Sequence, residues 1–143
     1  MNVYFACSIT GGRRDEAVYQ QLVDHMLAAG HQVPTADIAG PAVHMAEQIH
    51  APDFVYARDV AWIEACDALV AEVSTPSHGV GYEIAYALNL GKPVLALYRE
   101  GAIISKMITG NDKPALRVHA YGSEAEAVGI IEGFLGETGS GER

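Results

Sequence analysis

Ala68-Leu69-Val70-Ala71-Glu72-Val73, running into Ser74-Thr75-Pro76-Ser77-His78-Gly79-Val80-Gly81-Tyr82-Glu83, decides the fold. The first six residues form an apolar run, interrupted only by Glu72 and without polar alternation. Such a strand must be covered on both faces. The Ser/Thr/Pro/Gly turn after it opens a helix, with Glu83 expected in its first turn. Free backbone N–H groups and hydroxyls at such a turn favour an anion. Glu83 is a candidate nucleophile or base.

The same alternation repeats outward. Residues 3–7 read as a buried strand ended by Ser8-Ile9-Thr10-Gly11-Gly12, and residues 13–29 as a helix with Ala17, Val18, Leu22, Met26 and Leu27 in one stripe, closed by Gly30. Residues 31–34 are a weak second strand, and 35–51 an irregular, mobile loop. Pro52 and Asp53 start a helix to about Cys66, and the next covers about 80–90, closed by Gly91. Strands follow at 94–98 and 116–121, with a short helix or turn at 103–108 between them and a last helix at 124–135. This predicts one α/β domain over residues 1–135, with a disordered tail at 136–143. The expected architecture is a flavodoxin-like (Rossmann-type) three-layer sandwich with a five-stranded parallel sheet in the order 2-1-3-4-5. Ligands of such sheets sit where the winding reverses. Here that lies between the turns at 8–12 and 74–81.

The chain has 143 residues, half of them hydrophobic, and a net charge of −9. That size suits one domain with a real core. The acidic balance argues against nucleic-acid or membrane-surface binding. No apolar run reaches a membrane span and no basic leader precedes the first strand. Cys7 and Cys66 read as reduced, buried thiols of a cytoplasmic protein. The six His, including His44 and His50 around Glu47, form no metal-ligand set, so no metal is expected.

Two carboxylates stand on apolar helix faces. Glu83 shares a side with Val80, Ile84 and Ala87, and is either functional or a helix-dipole residue. Asp59 has Val55, Trp62, Ile63 and Cys66 at helical spacings. It is either a proton-transfer group or half of an ion pair with Arg58 or another nearby base. Together they suit glycosyl transfer, in which one carboxylate attacks the anomeric carbon and the other protonates the leaving group. Ser8, Ser77 and the backbones of Gly11, Gly12, Gly79 and Gly81 could cradle a phosphate, or serve only as turn chemistry. Neither turn is a dinucleotide fingerprint or a P-loop. Glu72, inside a core strand, has only a subunit-interface ion pair as its expectation.

With 3–13 and 71–83 placed, and with Arg58-Asp59-x-x-Trp62-Ile63 and residues 102–110 also fitting, nearly the whole chain resembles the nucleoside 2-deoxyribosyltransferase superfamily. Within it, the motifs are most like those of the 2′-deoxynucleoside 5′-phosphate N-hydrolases. The resemblance implies a cofactor-free homodimer with shared sites. These would cleave deoxynucleoside 5′-monophosphates to free base and 2-deoxyribose 5-phosphate. It implies Glu83 as nucleophile, Asp59 as proton donor and then base toward water, and Tyr4 at the sugar. It puts the phosphate on Ser77, Gly79 and the partner's Ser105, and the base beside Ile9, Thr10, Val55 and the partner's Met107. Ser8 and Gly11 belong to the same sugar and base end. The hydrolases carry Arg where Thr10 stands, which leaves the preferred base open; ribonucleotide hydrolysis, base exchange and a non-catalytic nucleotide sensor on the same fold are the alternatives.

Overall fold

The structure is a computed structural model, and it describes residues 1–9, 15–40 and 48–141. In chain order the elements are β1 (Val3–Ala6), α1 (Glu16–Ala28), a 3₁₀ turn (Ala36–Ala39), α2 (Pro52–Ala65), β2 (Ala68–Glu72), α3 (His78–Asn89), β3 (Val94–Arg99), α4 (Lys106–Thr109), β4 (Leu116–Tyr121) and α5 (Glu124–Ser140). The sheet is parallel throughout in the order β1-β2-β3-β4, with Tyr4 beside Leu69 and Glu72 beside Leu97.

The lack of alternation in β1, β2 and β3 has the expected cause. Val3, Phe5, Val70, Leu95 and Leu97 pack under α1 and α5 through Tyr19, Leu22, Met26, Ile131 and Phe134. Tyr4, Ala6, Leu69, Ala71 and Ala96 pack on the other face with Ile63 of α2 and Val80, Ile84 and Leu88 of α3. Each large apolar side chain so buried contributes about 1.5–3 kcal/mol, and truncating one to Ala costs about 2–5 kcal/mol. Gly30 and Gly91 close α1 and α3 with φ of 88° and 74°, the left-handed geometry that favours glycine.

Three expectations need correction. The described residues form four strands, not five. Residues near 32 do reach the edge of β1: Gln32 N–H donates to Met1 and the Val3 N–H to Gln32. The pairing then stops at a single bridge, because the Phe5 N–H is taken by the Thr35 hydroxyl at 3.0 Å. The buried stripe of α1 is Tyr19, Leu22, Val23 and Met26, whereas Leu27 is 44% exposed. Tyr19 packs edge-on against Phe5, which turns the helix away from the predicted face. Finally, the last helix passes the predicted end at Leu135 and continues to Ser140. Thr138 and Ser140 hydroxyls bond the carbonyls one turn back, and Glu137 pairs with Arg117 at 2.5 Å. The expected loop at 35–51 contains the 3₁₀ turn, and residues 41–47 lie outside the described residues.

Candidate active site

The carboxyl ends of β1 and β2 feed a cavity of about 540 Å³ between α2 and α3. Asp59 and Val55 enter it from α2, Gly79 and Glu83 from α3, and Ile9 from the turn after β1. Helical spacing explains the shared wall, since Val55 and Asp59 are one turn apart, as are Gly79 and Glu83. Because the helix begins at His78, Glu83 stands in its second turn rather than the expected first.

Tyr4 comes from β1, one strand away from the helix that carries Glu83. Its hydroxyl donates to Glu83 Oε1 at 3.0 Å. The phenol is almost fully buried. Burial, and then the negative charges of Glu83 and Asp59, hold it far above the ordinary tyrosine range. Tyr4 is therefore a permanent donor, which occupies one lone pair of Glu83 and orients its carboxylate.

Asp59 Oδ1 meets Arg58 Nε at 2.9 Å, with both side chains about four-fifths buried. The Arg58 guanidinium lies 4.8 Å from the Trp62 ring centre and 6.0 Å from that of Phe54. The ion pair foreseen as the plain alternative thus exists, and Asp59 still lines the cavity.

Ser77 caps α3, accepting the Val80 N–H at 3.3 Å, but it opens on the other side of the helix. There a second cavity, of about 510 Å³, holds Ser77, Ser105 and Met107 together with Ile103, Ile104 and Ile108. Ser105 caps α4 through the Met107 N–H at 3.2 Å. Ser8 is fully buried and lines neither cavity. Thr10 and Gly11 lie outside the described residues.

Glu72 is also fully buried, within its own chain rather than at a subunit interface. Its Oε1 accepts the Ser74 N–H at 2.6 Å and its Oε2 the Tyr121 hydroxyl at 3.1 Å. Burial raises its carboxyl above the ordinary range, and the bonds from Ser74 act against that rise.

Sequence reading missed Tyr56 and Tyr82, whose hydroxyls meet at 3.1 Å at the cavity mouth. It also missed Gln48 and His50 in the wall. A signal existed for the tyrosines: Tyr56 precedes Asp59 by three, and Tyr82 adjoins Glu83. Tyr82 stacks on Tyr86, which donates to Glu64 at 2.7 Å and is pushed up to about 12, chiefly by that bond. Among the described residues no His, Cys, Asp and Glu group could hold a metal ion, and no helix is long and apolar enough to cross a membrane. Cys7 and Cys66 are free and buried.

Comparison with known proteins places the chain in a family. Residues 3–127 match the model of the nucleoside 2-deoxyribosyltransferase family. The 5-hydroxymethyl-dUMP N-hydrolase of Mus musculus is 40% identical over 128 residues, 86% of this chain and 73% of that protein. Two solved structures share the fold: the CMP N-glycosidase of Clostridium botulinum (TM-score 0.65, 20% identity, 91% of this chain and 98% of that one) and a 2-deoxyribosyltransferase of Bacillus psychrosaccharolyticus (TM-score 0.60, 19% identity, 88% and 89%). The chain belongs to the nucleoside 2-deoxyribosyltransferase family.

Proposed function

We propose that this chain hydrolyses the N-glycosidic bond of 2′-deoxynucleoside 5′-monophosphates, releasing the free base and 2-deoxyribose 5-phosphate. The observation that carries the reading is the Tyr4–Glu83 hydrogen bond at 3.0 Å, in a cavity that Asp59 also lines. The relative named as a 5-hydroxymethyl-dUMP N-hydrolase supplies the substrate class.

A Glu83 carboxylate oxygen attacks the anomeric carbon as the bond to the base nitrogen breaks, and Asp59 delivers a proton to that nitrogen. The product is a glycosyl ester on Glu83. Asp59 then takes a proton from water, whose oxygen attacks the same carbon and releases Glu83. The positive charge that develops on the sugar lies beside Glu83 and Asp59, and Tyr4 keeps the Glu83 oxygen aimed. The missing 2′-hydroxyl eases formation of that cationic transition state. The chemistry needs no cofactor.

Gly79 and the start of α3 hold the 5′-phosphate, together with Ser77 and the partner's Ser105. Ile9, Thr10, Gly11, Val55 and the partner's Met107 border the base, and Ser8 supports that end from within. A homodimer is the assembly in which this works. In one chain, Ser105 and Met107 lie in the cavity across α3 from the carboxylates. Ile103 and Met107 there are 92% and 84% exposed, a surface that suits a second copy.

The test is a panel of deoxy- and ribonucleoside 5′-monophosphates, with released base measured in the presence and absence of a second free base. Free base plus phosphorylated sugar is expected. A new nucleotide carrying the second base would replace hydrolysis with base exchange, and cleavage confined to ribonucleotides would replace the sugar assignment.

A further inference from the structure

The mechanism leaves one buried acid unused. Glu72 is the charged residue of β2, and its side chain lies on the face opposite the carboxylate cavity, on the side of Val70 and Tyr121. A leucine there would extend the apolar surface that Val70 begins. A buried carboxyl is costly by comparison unless hydrogen bonds satisfy its oxygens, and here they do.

Its bonds converge on one turn. Glu72 takes the Ser74 N–H at 2.6 Å, and Ser74 Oγ in turn accepts the Arg99 N–H at 2.8 Å. The Arg99 guanidinium pairs with Asp15, and Asp15 Oδ2 accepts the Thr75 hydroxyl at 3.2 Å. Asp15 and Ser74 are both more than nine-tenths buried. Two carboxyls, a guanidinium and Tyr121 therefore fasten Ser74 and Thr75. Only Pro76 separates these from Ser77, the cap of α3. The same cluster reaches the start of α1 through Asp15, and through Arg99 the end of the strand that leads toward Ser105.

We infer that Glu72 is a positioning residue: it fixes the turn at 74–77, and with it the N-terminus of α3, for the phosphate end of the substrate. The inference rests on the proposed hydrolase reading for the identity of that substrate. The geometry it assigns to the turn stands by itself.

The test uses Glu72→Leu, Glu72→Gln and Tyr121→Phe in the full chain, with two readouts. The first is amide exchange. In Glu72→Leu the peptide over 72–80 exchanges about tenfold faster, as expected for loss of one buried hydrogen bond, while peptides from α5 keep their wild-type rates. The second is steady-state hydrolysis of a deoxynucleoside 5′-monophosphate. Glu72→Leu raises KM about tenfold with kcat within about threefold, and Glu72→Gln, which keeps an acceptor for Ser74, stays within about threefold in both. A core role alone would speed exchange everywhere alike and leave KM untouched, and either result overturns the inference. So does a loss confined to kcat. If Glu72→Leu does not fold, Tyr121→Phe decides: it keeps the carboxyl and removes one donor, and an unchanged KM with unchanged exchange over 72–80 sinks the proposal. A wild-type protein that cleaves no monophosphate refutes the hydrolase reading only, and the exchange comparison then decides the role of Glu72.

Discussion

The two cavities on either side of α3 are nearly equal in volume, about 540 and 510 Å³, yet they differ in chemistry. The first gathers Asp59, Glu83, Tyr56 and Tyr82 around a carboxylate that a buried tyrosine orients. The second has hydroxyls at Ser77 and Ser105 and is otherwise walled largely by aliphatic side chains, two of them strongly exposed. One helix serves both, because residues 79 and 83 lie on one of its sides and 77, 81 and 84 toward the other. The difference teaches that one chain keeps the carboxylates and the serine hydroxyls on separate surfaces, which the proposed function assigns to bond cleavage and substrate anchoring. They become one site only if a second copy brings its own 105–107 segment across.

That reading can be broken at four points. Glu83→Gln keeps size and hydrogen bonding but removes the nucleophile. Its kcat should fall about 10⁴-fold, the scale seen when a nucleophile is lost. Mass spectrometry of the wild type quenched with substrate should find the sugar phosphate on the peptide containing Glu83. Residual hydrolysis within tenfold of wild type would move the chemistry elsewhere.

Met107→Asp puts a charge into the second cavity's rim and should convert a dimer to monomers in analytical ultracentrifugation. Activity should drop about 100-fold, as expected when part of a positioning shell is removed. A fully active monomer would show that one chain completes the site.

Tyr4→Phe deletes the donor to Glu83. A hydrogen bond to a charged group is worth about 1.5–3 kcal/mol, so kcat should fall about 10–100-fold with little change in KM. An unchanged kcat would reduce Tyr4 to a core residue.

The smallest effect concerns Glu72. Asp15, Tyr19 and Tyr121 face it, while Arg99 pairs with Asp15. Burial raises its carboxyl above the ordinary value of 4.5. A carboxyl raised on folding favours the native state while it is protonated in both states. That contribution fades as pH climbs from the ordinary value through the raised one. Urea midpoints should therefore fall over that window by more in the wild type than in Glu72→Gln, and parallel curves would contradict the assignment.

Much of the fold was legible because strand and helix periods are local. The apolar runs at 68–73, broken only by Glu72, and at 94–98 required a sheet covered on both faces, and that sheet is present. Pro52, Gly30 and Gly91 marked helix ends through backbone preferences that hold in any context. Residues 31–34 misled because their strand pattern says nothing of Thr35, whose hydroxyl captures the next ladder donor. The α1 stripe misled because Leu27 and Val23 are equally apolar, and only packing against Phe5 and α5 selects between them.

The candidate site divides in the same way. The sequence by itself determined that Glu83 and Asp59 stand on apolar helix faces, Glu83 after a glycine-bearing turn, since spacing along one helix is a property of a few consecutive residues. Tertiary structure alone decided that Tyr4 reaches Glu83 across 79 positions of chain, and that Tyr56 meets Tyr82. It also separated Ser77 and Ser105 from the carboxylates, and turned Glu72 inward onto the Ser74 turn. Those contacts depend on strand register and on how each crossover helix is rotated against the sheet. Both are set by packing among residues far apart in the chain, which no local period encodes.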